Sequence, residues 1–263
     1  MSEQIVYSPR WVRAVNRYRR LAATFKNWPA FLAFKWGWKS ECPQLHTRGG
    51  LVFDVPSGST FEFKDVFLHE AYRCHEILRR LPEKPVVLDV GANVGFFSLY
   101  ALDCRPAARC LSFEPLAANY KILVQQRALN SLARWEIFPK AVVGKERTVR
   151  ISSQKQGMID AGATIAAESE NAEGEEVEAC SLASIFASQS IDCCDWLKLD
   201  CEGSEYEIFE TCPDVLLRKI SFISAELHEV DSISRNPRAL CAQLEQRGFR
   251  VLLADDAVIH ALR

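Results

Sequence analysis

Four short stretches of this 263-residue chain set acids and glycines at the ends of apolar runs. The first is Val86-Val87-Leu88-Asp89-Val90-Gly91-Ala92-Asn93-Val94-Gly95-Phe96-Phe97, with an acid late in the run and two glycines four apart. Gly91 suits a tight turn whose backbone approaches a ligand, and Gly95 suits close packing of the following helix on the strand. The helix opening near Phe96 aims its first N–H groups at whatever fills the crevice, and in open α/β sheets that crevice lies at the carboxyl ends of the strands. The second stretch, Leu111-Ser112-Phe113-Glu114-Pro115, puts a carboxylate 19 residues after Gly95. There it can accept hydrogen bonds from both hydroxyls of a ribose.

The ligand follows from the spacing. A dinucleotide site wants G-x-G-x-x-G around a pyrophosphate. Here the pattern is D-x-G-x-x-x-G, and an acid sits where a pyrophosphate would be repelled. S-adenosyl-L-methionine has an amino acid end, a sulfonium and a ribose but no phosphate, and fits better. Asp89 is expected to position its amino acid portion, directly or through water.

The third stretch, Asp195-Trp196-Leu197-Lys198-Leu199-Asp200-Cys201-Glu202-Gly203-Ser204-Glu205, brings Asp200, Glu202 and Glu205 to the same sheet edge. Lys198 lies inside the apolar run, where an unpaired charge is costly. It therefore needs a carboxylate partner. The plain reading is that ion pair plus acids at a helix N-terminus; the functional one is a proton acceptor and substrate clamp. The fourth, Ser224-Ala225-Glu226-Leu227-His228, sets Glu226 and His228 on one side of a strand by alternation. Asp200 or His228 is the expected base for a hydroxyl proton, with Glu202 and Glu205 holding substrate or organising Lys198. The alternative use of Asp200, Glu202, Glu226 and His228 is to hold a divalent ion, since hard cations prefer oxygen ligands. The expectation is a site without metal.

These residues need a scaffold. Apolar runs at 86–90, 110–113, 135–143, 195–199 and 220–227 alternate with helical patterns at 96–102, 116–130, from about 204, and 237–247, ending in a hairpin of 249–253 with 258–262. That order predicts a mostly parallel, doubly wound α/β sheet. Upstream, Trp11, Val15, Tyr18, Ala22 and Phe25 recur at helical spacing with arginines between them. Pro29 interrupts that helix. Its aromatics, with Trp28, Phe31, Phe34, Trp36 and Trp38, are expected to pack as a helical cap over 1–45. Short strands are expected at 51–53 and 61–63, a helix at 69–81, and no regular structure in 153–178.

Composition narrows the classes. Net charge is −2 and 48% of residues are hydrophobic, which suits a soluble enzyme and excludes a nucleic-acid footprint over the whole molecule. The charge is uneven: residues 1–40 hold eight Lys or Arg against one Glu, and 153–178 hold seven acids against one Lys. Both read first as solvated faces, with membrane-surface contact by the basic helix as the lesser reading. None of the ten cysteines forms a CxxC pair, so zinc-ribbon and thioredoxin-like spacings are absent. Without an apolar run of signal-peptide or membrane-span type, a reduced, cytoplasmic protein is expected.

VVLDVGANVGFFSLYAL, LSFEPLAANYKILVQQRALN, DWLKLDCEGSEYEIFE and ISAELHE, with TRGGLVFDVP and FLHEAYR before them, resemble the FkbM family of methyltransferases over roughly residues 46–230. The resemblance implies a Rossmann-like class I fold over 46–263 and methylation of a hydroxyl on a sugar, polyketide or related small molecule. It also implies that Glu70 and Tyr72 cover the cofactor and that Ala141 lies near the adenine; the cofactor set is then Glu70, Tyr72, Asp89, Gly91, Ala92, Asn93, Gly95, Phe96, Glu114, Pro115, Ala141 and Asp200. Cys201 departs from the family, where an aliphatic residue is usual. The alternatives are a nicotinamide-dependent oxidoreductase on the same fold, which the glycine spacing opposes, and a non-catalytic cofactor-binding protein, which the full acidic set opposes.

Overall fold

The computed structural model describes residues 10–69, 71–72, 75–132, 134–152, 164–165, 174–253 and 258–263. They form two compact units divided between Glu70 and Ala71, later than the 45/46 boundary expected from sequence.

The first unit holds α1 (Arg10–Thr24), α2 (Trp28–Lys35), β1 (Leu45–His46), β2 (Val52–Phe53), α3 (Thr60–Lys64) and a π-helical turn, Asp65–His69. Pro29 sits in the first turn of α2, where its missing N–H costs nothing, so it begins a helix as well as ending one. The expected strand at 61–63 is helical. Three alternating residues cannot separate the two periods, and the helix puts Phe63 one turn before Phe67 on one face. Both rings then reach Phe25, at 5.6 and 5.3 Å between centroids, and Phe63 meets Phe31 at 5.1 Å. That aromatic core explains why the unit extends past residue 45. Of the stripe expected over residues 11–25, only Phe25 is fully buried. Leu21 and Phe25 are buried, and Arg20 donates to the Leu68 carbonyl at 3.1 Å. Trp11, Val15 and Tyr18 stay exposed, as do Trp36 and Trp38. The expected helix at 69–81 is shorter, α4 (His75–Arg80).

After α4 the second unit runs β3 (Val86–Val90), α5 (Phe96–Cys104), β4 (Arg109–Phe113), α6 (Ala117–Asn130), β5 (Trp135–Phe138), β6 (Ala141–Val142), β7 (Arg147–Ser152), β8 (Thr164–Ile165) and β9 (Glu175–Cys180). It continues with α7 (Leu182–Ser188), β10 (Cys194–Leu199), α8 (Glu205–Thr211), α9 (Asp214–Leu217), β11 (Ile220–Glu226), α10 (Pro237–Gln246), β12 (Arg250–Leu253) and β13 (Val258–Leu262). Seven strands make one sheet in the order β12-β13-β11-β10-β3-β4-β5. β11, β10, β3, β4 and β5 are parallel, and the terminal hairpin adds β13 antiparallel to β11. The strands that carry the site residues are buried almost throughout, as continuous apolar runs in a parallel sheet should be.

A second sheet, β6-β9-β7-β8, was not anticipated. Its strand Glu175–Cys180 falls largely in the segment expected to be irregular. Val177 and Ala179 turn inward onto Val149, Ile151 and Val143, while Glu176 pairs with Arg150 and Glu178 with Lys140 at 3.0 Å. The acidic composition hid a simple alternation. Residues 153–163 and 166–173 lie outside the described residues. Among the described residues every cysteine is a free thiol, and no helix is long and apolar enough to cross a membrane.

Candidate cofactor and active site

β3 has β4 on one side and β10 on the other, and the strand order reverses there. A crevice opens at such a switch point. The turn leaving β3 is held by two donors, Gly91 N and Ala92 N, both 3.0 Å from the Phe113 carbonyl. Gly91 has φ +71°, and a Cβ on it would lie 1.8 Å from the Asp200 carbonyl oxygen. No other residue fits. Gly95 has φ +89°, and a Cβ there would meet Leu123 Cδ1 at 2.6 Å and the Trp135 ring at 3.0 Å. Its role is therefore to seat the start of α5 against α6 and β5, not against the preceding strand.

Beside this turn lies an open cleft of about 610 Å³, its solvent-facing space included. Phe113, Leu116, Ala141, Val142 and Ile151 form its apolar side; Asn93, Glu114, Asn119, Lys140, Asp200 and Glu202 carry its polar groups. Pro115 and Gly91 also line it. Glu114, at the end of β4, is 4% exposed. Its Oε2 accepts from Asn93 N at 2.8 Å; its Oε1 accepts from Leu116 N at 3.0 Å and Asn119 Nδ2 at 3.3 Å. A carboxylate offers about four acceptor positions, so one remains on Oε2 at the cleft. Burial pushes the Glu114 carboxyl up to about 7, against the pull of those donors.

Asp89 does not reach the cleft. It is fully buried, with Oδ2 accepting from Ser98 Oγ at 2.5 Å; Ser98 and Ser112 hydroxyls are 2.6 Å apart, and Trp135 Nε1 donates to Ser112 Oγ at 2.7 Å. Parallel register puts Lys198 opposite Asp89. Lys198 Nζ lies 3.4 Å from Asp89 Oδ1 and 3.5 Å from Asp200 Oδ2, and donates to the Gly91 carbonyl at 2.6 Å. Burial disfavours its charge, but Asp200 and Asp89 outweigh that and raise its pKa. The plain reading of Lys198 is the structural one: it ties the glycine turn to two strands and is 3% exposed. Asp89 acts through Lys198 and Ser98 rather than by touching a ligand. Ala92, Gly95 and Phe96 likewise lie behind the cleft wall.

Asp200 lines the cleft and is also anchored. The Tyr72 hydroxyl is 2.9 Å from Asp200 Oδ2 and 2.9 Å from Glu226 Oε2. Tyr72 is itself buried and does not line the cleft, so it holds a cleft residue from behind. Glu70 lies outside the described residues. Beyond Asp200, Glu202 takes φ +53°, a left-handed conformation uncommon for a non-glycine residue. Its Oε2 is 3.4 Å from His228 Nε2. His228 Nδ1 faces Glu205 Oε1, also at 3.4 Å. Glu205 is fully buried and accepts from Cys201 N and Gly203 N, both at 2.8 Å, which pins the turn carrying Glu202. Neither Glu202 nor Glu205 touches Lys198, contrary to one expectation.

Burial, reinforced by Asp200, Glu205 and Glu226, pushes the Glu202 carboxyl up to about 7. Glu205 and then Glu202 hold the His228 imidazolium, raised to about 9 against desolvation. Ligand atoms of Asp200, Glu202 and His228 lie within 4.8 Å of one another. Glu226 is not among them; its carboxylate turns to Tyr72 instead.

Three carboxylates, Glu114, Asp200 and Glu202, therefore face one cleft with Lys140 as its cation, and Lys140 is paired with Glu178. Such a lining repels a pyrophosphate and suits a ligand carrying positive charge and hydroxyls. This donor set fits S-adenosylmethionine and does not fit a dinucleotide.

The model of the methyltransferase FkbM domain matches residues 89–251. The chain belongs to the FkbM methyltransferase family. Its parallel sheet, with the order reversal at β3 and an antiparallel β13, is the Rossmann-like class I fold. Among curated relatives, it is 26% identical to the 31-O-demethyl-FK506 methyltransferase FkbM of Streptomyces tacrolimicus, over 80% of this chain and 89% of that protein. It is 26% identical to the AMB antimetabolite synthetase AmbE of Pseudomonas aeruginosa over 80% of this chain, and 39% identical to the methyltransferase sdnD of Sordaria araneosa over 27% of it. The chain spans only 12% of AmbE and 26% of sdnD.

Within the FkbM-type domain, the cleft gathers Gly91, Asn93, Glu114, Pro115, Ala141, Asp200 and Glu202 of the residues named from sequence. Sequence reasoning missed Asn119 and Lys140. Asn119 follows Glu114 by five residues on α6, and a polar residue in that first turn was a signal available for it. Lys140 is placed by the second sheet, which no pattern announced.

Proposed function

We propose that this chain transfers the methyl group of S-adenosyl-L-methionine to a hydroxyl of a small-molecule acceptor, a sugar, polyketide or related secondary metabolite. The observation that carries the reading is Glu114: a buried strand-end carboxylate with one acceptor position left at the cleft, beside the glycine turn. S-adenosylmethionine supplies an electrophilic methyl group. Glu114 would take a ribose hydroxyl, with Phe113, Leu116 and Ala141 against the adenine. Oxygen as the acceptor atom is supported by the Streptomyces tacrolimicus relative, a 31-O-demethyl-FK506 methyltransferase.

Methyl transfer to oxygen needs alignment, exclusion of water and a base for the hydroxyl proton. Glu202 suits the base best. Its carboxyl, raised to about 7, is poised near neutrality, whereas His228, raised to about 9, is already protonated there. His228 then orients Glu202 and receives none of the proton. Asp200, tied to Tyr72 and near Lys198, would position the acceptor and the cofactor's cationic end.

Isothermal titration with S-adenosylhomocysteine, beside NADH and a Glu114→Ala variant, tests the reading. Micromolar binding that the variant loses is the expected result. Binding of NADH instead would overturn it in favour of an oxidoreductase, and binding of neither would favour a non-catalytic role.

A further inference from the structure

The first unit carries its own recess, about 450 Å³ with its open, solvent-facing space included, which the methyl-transfer reading does not use. Its basic groups come from different elements: Arg17 from α1, Lys35 from α2 and Lys64 from α3, with the His69 ring of the π-helical turn beside them. A merely solvated basic face would spread its charges along one helix. Here they converge. Leu21, Phe31, Leu32 and Leu68, all buried, supply an apolar floor. Among the described residues, no carboxylate lines the cavity. Asp65 Oδ1 lies 2.7 Å from His69 Nδ1, on the ring's other side from Arg17, whose Nη1 is 3.4 Å from Nε2. Lys35 is held in place by Tyr18, donating to its hydroxyl at 3.2 Å.

Three permanent cations around an apolar floor dictate a ligand with two parts. We infer that this cavity binds an amphiphilic anion, a phosphate monoester or comparable acidic head joined to a short apolar body. The head meets Arg17, Lys35 and Lys64, which can donate charge-assisted hydrogen bonds; the body covers Leu21, Phe31 and Leu68. A bare anion would leave the floor wet, and a neutral amphiphile would leave the cations unmatched.

Octyl phosphate is the probe, titrated into the full chain by calorimetry, with octyl glucoside as the neutral match and inorganic phosphate as the head alone. Octyl phosphate binding at least about tenfold tighter than either control is expected, weakening as sodium chloride is raised. A Lys35→Gln/Lys64→Gln double variant should weaken it at least about tenfold while S-adenosylhomocysteine binding stays unchanged, with an unchanged circular dichroism spectrum and denaturation midpoint showing that the variant is folded. Equal binding of octyl phosphate and octyl glucoside, or full binding in the double variant, overturns the proposal. Vesicles containing phosphatidic acid identify the source: vesicle binding that octyl phosphate competes away makes the head a lipid's and supports the site. Vesicle binding without any octyl phosphate binding overturns it in favour of a membrane-facing surface.

Discussion

The Tyr72 hydroxyl lies 2.9 Å from Asp200 Oδ2 and 2.9 Å from Glu226 Oε2, two carboxylates served by one phenol proton. A phenol can donate once. The phenol proton is therefore shared between the two, and burial and then Asp200 raise the Glu226 carboxyl. Tyr72 is raised in turn by burial and by both acids, so it keeps its proton. The trio behaves as one unit that fixes Asp200 at the cleft.

Glu226→Gln should therefore preserve turnover, because the amide oxygen still accepts from the Tyr72 hydroxyl. Tyr72→Phe should lower turnover and cost about 1–3 kcal/mol of stability by leaving polar groups unpaired. Steady-state kinetics and urea denaturation of both variants check this. A Glu226→Gln variant as impaired as Tyr72→Phe would rule out the shared proton.

Gly91→Ala should abolish S-adenosylhomocysteine binding and lower the denaturation midpoint, with about 1–3 kcal/mol lost to overpacking. The Asp200 carbonyl, 1.8 Å from the added carbon, is backbone and cannot swing aside. Wild-type binding in this variant would mean that the two strand-end loops are not locked together as described.

Glu114 links stability to pH. Its folded pKa, about 7, lies above the ordinary value of 4.5 for a glutamate carboxyl. It therefore favours the folded state fully below about 4.5, and this contribution is lost as pH rises through about 7, a swing of about 3 kcal/mol. Glu114→Gln should flatten that part of the stability curve. Affinity for S-adenosylhomocysteine should move the other way in the wild type, rising as the carboxyl ionises. Chemical denaturation and calorimetry from pH 5 to 8 measure both.

Glu202→Gln should cut turnover about 10²–10⁴-fold, the usual worth of a general base, with S-adenosylhomocysteine binding intact. The wild-type rate should climb through about pH 7 as Glu202 ionises and fall through about pH 9 as His228 loses its proton. A flat profile in the wild type would contradict the Glu202–His228 pairing.

EDTA should leave turnover unchanged. Metal ligation requires a neutral imidazole, and Glu205 and Glu202 hold His228 charged. Loss of activity on chelation, restored by magnesium or manganese, would instead make Asp200, Glu202 and His228 a metal site.

The sequence by itself determined the doubly wound sheet and the residues at its carboxyl edge. Buried parallel strands are written as unbroken apolar runs, and the glycines and acids that end them stand in the chain next to those runs. Gly91, Glu114, Asp200 and Glu202 were legible for that reason. Only the tertiary structure decided which acids face the cleft. Asp89 is turned inward because Lys198, 109 residues away, lies opposite it in register. Tyr72 reaches Asp200 across 128 residues. The second sheet stayed hidden under acidic composition, and of the stripe expected over residues 11–25 only Phe25 became fully buried, where Phe53, Phe63 and Phe67 surround it. Such choices depend on partners brought together in space, and spacing along the chain carries no record of them.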